Sequence, residues 1–111
     1  MSQETLKELQ TGVTKLARTN KDFVQAMMSL SEMAAQDGAL SRKIKELIFV
    51  ALSVQEHCTY CIAHHVHGAM QAGATAEEVY EAAQVAIAMG GGPSLAYTAT
   101  HVREAVESFS G

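Results

Sequence analysis

Apolar residues recur at helical spacing through almost the whole chain, and this periodicity restricts the fold more than any other feature. Five apolar residues of segment 41–55 share one helical phase: Ile44, Leu47, Ile48, Ala51 and Val54. The run LIFVAL within this segment could also form a buried strand, but the pattern lasts for about four turns and lacks hairpin signals at its ends. We therefore predict a helix that begins at Ser41. Because it is apolar on nearly all sides, it belongs at the centre of a bundle.

The same spacing predicts two helices before this segment. The first covers residues 2–17, and the second starts after Asn20, a residue type that caps helices, and ends at Asp37 and Gly38. The apolar residues of the second helix are Phe23, Met27, Leu30 and Ala34.

Three further helices are predicted after the central one. The fourth runs from about Cys58 to Ala72 and stops at Gly73, and the fifth begins at a capping box of Thr75 and Glu78. A break at residues 90–93, Gly-Gly-Gly-Pro, separates the fifth helix from the last. The last helix carries Leu95, Val102, Val106 and Phe109. The sequence thus predicts an all-α, single-domain bundle of about six helices over residues 1–111.

Charge and hydropathy narrow the classes of function. Residues 58–111 contain Arg103 against five glutamates, which accounts for the whole net charge of −4. This half offers no basic stripe to phosphates, so we expect no binding to nucleic acid. The first ten residues are polar and lack a leader pattern, and no apolar run approaches the ~18 residues of a membrane span. We expect a cytoplasmic protein without a membrane association.

The residues that carry chemistry are concentrated in one short region. The only two cysteines, Cys58 and Cys61, form a CxxC pair, and His65 follows the second by four positions. Residues four apart in a helix are neighbours, so His65 can accept the proton of Cys61. The first turn of a helix also favours an anionic sulfur. A cysteine pair in a cytoplasmic protein is typical of redox or metal chemistry rather than of a structural bridge.

Glu46 is the candidate acid at the far end of this group. It lines up with Val50, Ser53 and His57 on the third helix, beside the apolar stripe. An acid near the apolar wall of a bundle is costly unless it has a partner or stays protonated, and His65 would supply a partner in a Glu–His–Cys proton relay. The alternative is a solvated glutamate at the start of a helix.

These residues form the pattern E-x11-C-x2-C-x3-H on consecutive helices, and the resemblance extends over roughly residues 40–109. The chain resembles the alkylhydroperoxidase AhpD-like branch of the carboxymuconolactone decarboxylase superfamily. The resemblance implies an all-helical fold that assembles into homo-trimers or homo-hexamers. It also implies thiol-dependent reduction of a small hydroperoxide, without a bound cofactor or metal, and re-reduction by a thioredoxin-like or lipoyl-bearing dithiol protein.

The resemblance also implies a role for each candidate residue. Cys61 would be the attacking thiolate, Cys58 the resolving thiol, and His65 and Glu46 the proton relay. Some members have a second histidine directly before the second cysteine, where this chain has Tyr60. A tyrosine donates a hydrogen bond but is a poor base near neutral pH, so this departure puts a second relay in doubt.

Two other interpretations use the same residues. Cys58 and Cys61 with one nearby histidine supply three zinc ligands, but the second ligand pair of a closed structural site is absent from the sequence. Alternatively, the dithiol acts in a non-enzymatic oligomeric module, in which oxidation changes assembly instead of turning over peroxide.

Overall fold

A central helix, α3, organises the molecule. In the computed structural model, which describes residues 1–110, α3 (Arg42–Gln55) packs against both α4 (Thr59–Gln71) and α5 (Ala76–Gly90). Its Val50 and Val54 are completely buried. The core they form with α4, α5 and the C-terminal stretch also contains Ile62, Val66, Ala69, Val79, Ala83, Val102 and Ala105.

The remaining elements surround this core. At the N-terminus lie α1 (Ser2–Leu16) and α2 (Lys21–Ala35). The C-terminal stretch consists of α6 (Gly92–Tyr97), a π-helical turn (Thr98–Val102) and α7 (Arg103–Phe109), which follow one another without a break. Counted this way there are six helical stretches and no strand among residues 1–110, so the predicted all-α fold is confirmed. None of these helices combines the length and the hydrophobicity that crossing a membrane requires.

Most predicted helix ends are present, with side chains or backbone groups satisfying the free helix termini. The Ser41 hydroxyl accepts a hydrogen bond from the Ile44 amide at 3.2 Å. Thr75 and Glu78 form the predicted capping box, each side chain accepting from the other's amide. Gly73 has a φ of 97°, a conformation that favours glycine, and it ends α4 as predicted.

The predicted start of α2 directly after Asn20 is confirmed, but it does not rest on a side-chain cap. Asn20 does occupy the N-cap position of α2, but its side chain makes no capping hydrogen bond. Its amide group instead donates to the Thr19 hydroxyl at 3.0 Å. The Thr19 hydroxyl in the preceding turn thus competes with the N-terminus of α2 for the Asn20 side chain.

The inward face of α3 includes only part of the predicted stripe. Val54 is completely buried, and Leu47 and Ala51 pack against the core. Ile44 and Ile48, which share the predicted phase, are 40% and 45% exposed, whereas Glu46, Val50 and Ser53 are buried. The core face therefore lies between the predicted stripe and the line of residues beside it. Because α3 is apolar on most sides, its periodicity indicates the inward side only approximately.

The second helix contributes little to the core of the single chain. Ala35 is its only buried residue. Phe23 is 80% exposed, and the other exposed apolar side chains of α2 are Met27, Met28, Leu30 and Met33. An apolar surface of this kind is unusual for a monomer and is typical of a surface that is covered by a partner.

The first helix is held to the C-terminal helix by a carboxylate. Glu104 of α7 accepts hydrogen bonds from the backbone amide of Ser2 at 2.6 Å and from the Ser2 hydroxyl. Ser108 donates to its second oxygen. Burial by itself would raise the pKa of Glu104, but the hydrogen bonds from Ser108 and Ser2 outweigh it and hold the pKa below the usual value.

This arrangement predicts an acid-sensitive contact. A carboxylate whose pKa is lower in the folded state stabilises the protein above its unfolded pKa, and the effect is lost as the pH falls through the folded value. We expect Glu104→Gln to lower the free energy of unfolding at about pH 7 by roughly 1 kcal/mol. On acidification to about pH 3, the variant should lose less stability than the parent.

Urea unfolding at both pH values measures this difference. Glu107→Gln is the matched control, because Glu107 lies one turn away on the surface and pairs only with Arg103. An equal loss of stability on acidification in the parent and in Glu104→Gln would contradict the assignment.

Candidate redox site

The two cysteines form a disulfide bond at the start of α4. Cys58 occupies the N-cap position and Cys61 the first turn, with 5.2 Å between their Cα atoms. The Cys61 amide donates a hydrogen bond to the Cys58 sulfur at 3.1 Å. The sulfur of Cys58 therefore takes the place of the oxygen that normally caps a helix, where a negative charge is stabilised.

The turn before α4 holds Cys58 in this position. His57 has a φ of 54°, in the left-handed region, and its amide donates to the Val54 carbonyl at 3.0 Å. The Cys58 amide donates to the Ser53 carbonyl at 3.2 Å. These two bonds are those of a Schellman motif, which ends α3 and starts α4 within three residues. The His57 ring stacks on Tyr97, with 4.9 Å between the ring centroids.

Glu46 and His65 meet between α3 and α4. The Glu46 Oε1 atom lies 3.3 Å from the His65 Nδ1 atom, and Glu46 is only 6% exposed. Glu46 is thus a buried carboxylate with a histidine partner rather than a solvated residue. The structure brings together the two residues that the sequence proposed for the acid–base end of the relay, although 19 positions separate them.

The contact restricts the chemistry of the imidazole. An ionised carboxylate only accepts hydrogen bonds, so the Nδ1 atom of a neutral His65 must donate to Glu46. The proton then lies on Nδ1, and Nε2 keeps a free lone pair. Glu46 therefore holds His65 in the tautomer that can accept a proton at Nε2.

Aromatic contacts fix the plane of the His65 ring. Phe49 stacks on it with 4.4 Å between centroids and 10° between planes, and His64 packs edge-on at 4.8 Å. Partial burial of the ring, and secondarily the nearness of His65, lower the pKa of His64. The lowered pKa favours the neutral form of the His64 ring beside His65.

The histidine and the sulfurs are neighbours along α4 but are not bonded in this oxidised state. Cys61 and His65 are four positions apart, which puts them one turn from each other on the same side of the helix. Within residues 1–110, His65 makes no hydrogen bond to either sulfur of the disulfide. Cys61, the thiol end of the predicted relay, therefore lies next to His65 without a hydrogen bond to it in the described residues.

Sequence reasoning missed several neighbours of the site. Phe49 was predicted only as part of an apolar run, although it stacks on the imidazole. Tyr60 donates from its hydroxyl to Glu8 at 2.7 Å, which links α1 to the turn that carries the disulfide. This hydrogen bond raises the pKa of Tyr60. Since 52 positions separate Tyr60 and Glu8, no local sequence signal identifies the pair.

A small cavity of about 110 Å³ lies next to the first turn of α4, between α1 and α7. Neither cysteine lines it. Its lining residues are Met1, Ser2, Thr5, Thr59, Ile62, Ala63, His101 and Glu104. As for metals, no group of three or more His, Cys, Asp or Glu side chains in the described part of the chain is placed to hold an ion.

Comparison with known proteins identifies the family. The sequence profile of the carboxymuconolactone decarboxylase family matches residues 21–105. The chain belongs to this family. The family match includes every member of the Glu46–His65 and Cys58–Cys61 groups.

Relatives of this family member are known from sequence. An uncharacterised protein of Cupriavidus necator is 36% identical over 94 residues, which covers 76% of this chain and 83% of that protein. A protein of Paracoccus denitrificans, named as uncharacterised protein 4 in the cox locus, is 33% identical over 97 residues and 87% of each chain.

Two solved structures of the carboxymuconolactone decarboxylase family have the same fold. One is the apo form of a family protein from Legionella pneumophila, with a TM-score of 0.94, 38% identity and coverage of 99% of this chain and 97% of that chain. The other is described as a carboxymuconolactone decarboxylase from Burkholderia xenovorans. It has a TM-score of 0.74, 22% identity and coverage of 99% and 92%, so it supports the fold alone.

The Glu46–His65 contact predicts the effect of Glu46→Gln. A glutamine can donate or accept at this position, so it no longer requires a proton on the Nδ1 atom of His65. We expect the neutral imidazole to become a mixture of tautomers. The nitrogen chemical shifts of the His65 ring, measured at about pH 8 where histidine is mostly neutral, report this change.

The His101 ring provides an internal control, because His101 lies in the π-helical turn and contacts Tyr97 rather than Glu46. Its nitrogen shifts should be the same in both proteins. Unchanged shifts for His65 would show that Glu46 does not determine the tautomer.

Proposed function

We propose that this family member is a thiol-dependent oxidoreductase of the AhpD-like branch, which reduces a small hydroperoxide through its Cys58–Cys61 pair. The observation that carries the proposal is the position of the CxxC disulfide one helical turn from His65. The buried Glu46 carboxylate orients the imidazole of this histidine. A structural disulfide needs no such base. A peroxidatic thiol does, because the thiolate and not the thiol is the nucleophile.

In the first step, His65 accepts the Cys61 proton at Nε2, and the Cys61 thiolate attacks the distal oxygen of the hydroperoxide. The O–O bond breaks, the alkoxide leaves, and it takes up the proton from His65 to become an alcohol. Cys61 is oxidised to a sulfenic acid. Glu46 stabilises the imidazolium form of His65 between these two proton transfers.

In the second step, the Cys58 thiol loses its proton and its sulfur attacks the sulfenic sulfur of Cys61. The S–O bond breaks, the departing hydroxide takes up that proton, and water is released as the disulfide forms. The hydrogen bond from the Cys61 amide to the Cys58 sulfur supports this role, because it would stabilise the thiolate of Cys58. The same bond stabilises Cys58 as the leaving group when an outside dithiol attacks Cys61 and reduces the pair.

The reductant is proposed as a dithiol protein of the thioredoxin-like or lipoyl-bearing type. Two electrons must be returned for each peroxide reduced, and a dithiol leaves as a disulfide after supplying them. A cytoplasmic location fits this cycle, since that compartment maintains reduced thiols. The proposal needs no bound cofactor. Some family members have a second histidine at the position of Tyr60. The Tyr60 hydroxyl instead donates a hydrogen bond to Glu8, and this residue supplies no base.

Peptide mapping by mass spectrometry tests the proposal. The reduced protein is treated with one equivalent of an organic hydroperoxide beside Cys58→Ser and Cys61→Ser. We expect the parent to lose two hydrogens, mapped to a Cys58–Cys61 disulfide. In Cys58→Ser, a sulfenic acid should be trapped on Cys61. His65→Asn should slow the oxidation of Cys61 by about a hundredfold, the usual contribution of a general base.

Each alternative interpretation has its own outcome in this experiment. Thiols that stay reduced in a folded, demetallated protein would contradict the peroxidase and leave a metal-binding module as the better account. A disulfide that forms once, alters the oligomer and is not re-reduced by any dithiol would favour the redox sensor.

We also propose that the protein is a homo-oligomer, a trimer or a hexamer, with the apolar face of α2 at the subunit contact. The exposed side chains of Phe23, Met27, Leu30 and Met33 support this proposal, because they lie on a helix that buries only one residue within its own chain. Ile44 and Ile48 on the outward side of α3 add further exposed apolar surface.

Replacing Phe23 and Met27 together by serine should therefore weaken the assembly. Size-exclusion chromatography with light scattering is expected to give a multiple of 11.9 kDa for the parent and a shift toward 11.9 kDa for the variant. Gln25→Ala, on the opposite side of the same helix, is the control. A parent of 11.9 kDa at micromolar concentration would refute the oligomer.

A further inference from the structure

We propose that Gly68 is a positioning residue of the proton relay, because the space left by its missing side chain is where the Glu46 carboxylate lies. The inference rests on the proposed function for its catalytic consequence. Its structural part, that Gly68 decides how Glu46 meets His65, holds whether or not the protein reduces peroxides.

The geometry around Gly68 is specific to Glu46. Gly68 lies three positions after His65 on α4 and faces α3. A Cβ atom added at Gly68 would lie well inside van der Waals contact with the Glu46 Oε2 atom and 3.0 Å from its Cδ atom. The nearest atoms to this added Cβ all belong to the Glu46 carboxylate. Any residue larger than glycine would therefore occupy the position that Glu46 needs beside His65.

Backbone conformation does not explain a glycine at this position. Positive φ values occur at Gly73 and Gly91 but not at Gly68, which lies inside a regular helix. Glycine in a helix interior is unfavourable compared with alanine. By contrast, Gly12 in α1 would leave an added Cβ with nothing within 4 Å. Glycine at position 68 therefore lowers the stability of the helix, but the space left by its missing side chain is filled by the Glu46 carboxylate.

A methyl group at position 68 should move the carboxylate rather than the helices. The clashing atoms are the end of a flexible side chain, whereas Gly68 itself is backbone in a packed helix. The Glu46 oxygens would leave the space beside Gly68, and the Nδ1 atom of His65 would lose its hydrogen-bond acceptor. The proton of the neutral ring could then lie on Nε2, where it would prevent this atom from accepting the proton of Cys61.

The first test uses Gly68→Ala beside Glu46→Gln, with Gly12→Ala as the control for a glycine-to-alanine change in a helix. The nitrogen chemical shifts of the His65 ring should move from one tautomer toward a mixture in Gly68→Ala, as in Glu46→Gln. They should stay at the parent values in Gly12→Ala. This measurement needs no peroxide, so it separates a failure of the positioning role from a failure of the peroxidase proposal.

The second test follows the oxidation of Cys61 by an organic hydroperoxide. Gly68→Ala should slow it by roughly tenfold, part of the contribution of a general base. The double variant Gly68→Ala/Glu46→Gln should be no slower than Glu46→Gln alone, because the added methyl group acts only through Glu46. Additive effects, or His65 shifts in Gly68→Ala that match Gly12→Ala, would overturn the proposal.

Thermal unfolding keeps the proposal testable where Gly68→Ala folds poorly. With Glu46 present, Gly68→Ala should lower the midpoint of unfolding. When Glu46 is replaced by alanine, the clash is removed and the same change should raise the midpoint, as is also expected for Gly12→Ala. A midpoint that falls equally in both backgrounds would show that the added methyl group clashes with something other than Glu46.

Discussion

The burial of the Glu46 carboxylate against α4 is the constraint on which the site depends. A charge at 6% exposure is costly unless it is paired, and within residues 1–110 its hydrogen-bond partner is His65. The pair can form only if α3 and α4 approach closely, which the bare backbone at Gly68 permits. Carboxylate, imidazole and glycine therefore act together to set the tautomer of the histidine.

The sulfurs are positioned by a different and more local mechanism. The Schellman turn at His57 places Cys58 at the N-cap of α4, and the CxxC spacing brings Cys61 back to it within one turn. No contact from a distant element is needed for this geometry. The redox pair thus comes from one segment, whereas the acid–base pair requires two helices to pack correctly. A packing change between α3 and α4 would therefore impair the proposed proton transfer while leaving the disulfide able to form.

This difference explains how much of the molecule was predictable. The capping box at Thr75 and Glu78, the stop at Gly73 and the CxxC at the start of α4 are local patterns, and the structure contains all of them. The side of α3 that faces inward was predictable only in part, because hydrophobicity on several sides weakens the direction that the periodicity gives. The stacking of Phe49 on His65 and the Tyr60–Glu8 bond depend on how helices cross, which no short sequence pattern encodes.

The cost of the Glu46–His65 pair bears on the choice between an enzyme and a redox sensor. A disulfide that only changes assembly requires two accessible sulfurs, which the turn between α3 and α4 supplies without Glu46 or His65. Replacing a buried ion pair by apolar residues is often neutral or stabilising, so stability alone does not favour keeping Glu46 in the core. Gly68 lies beside Glu46, and a glycine inside a helix also lowers the stability of that helix. Two unfavourable residues beside a redox pair are best explained by a proton that must be moved in each turnover, which favours the enzyme.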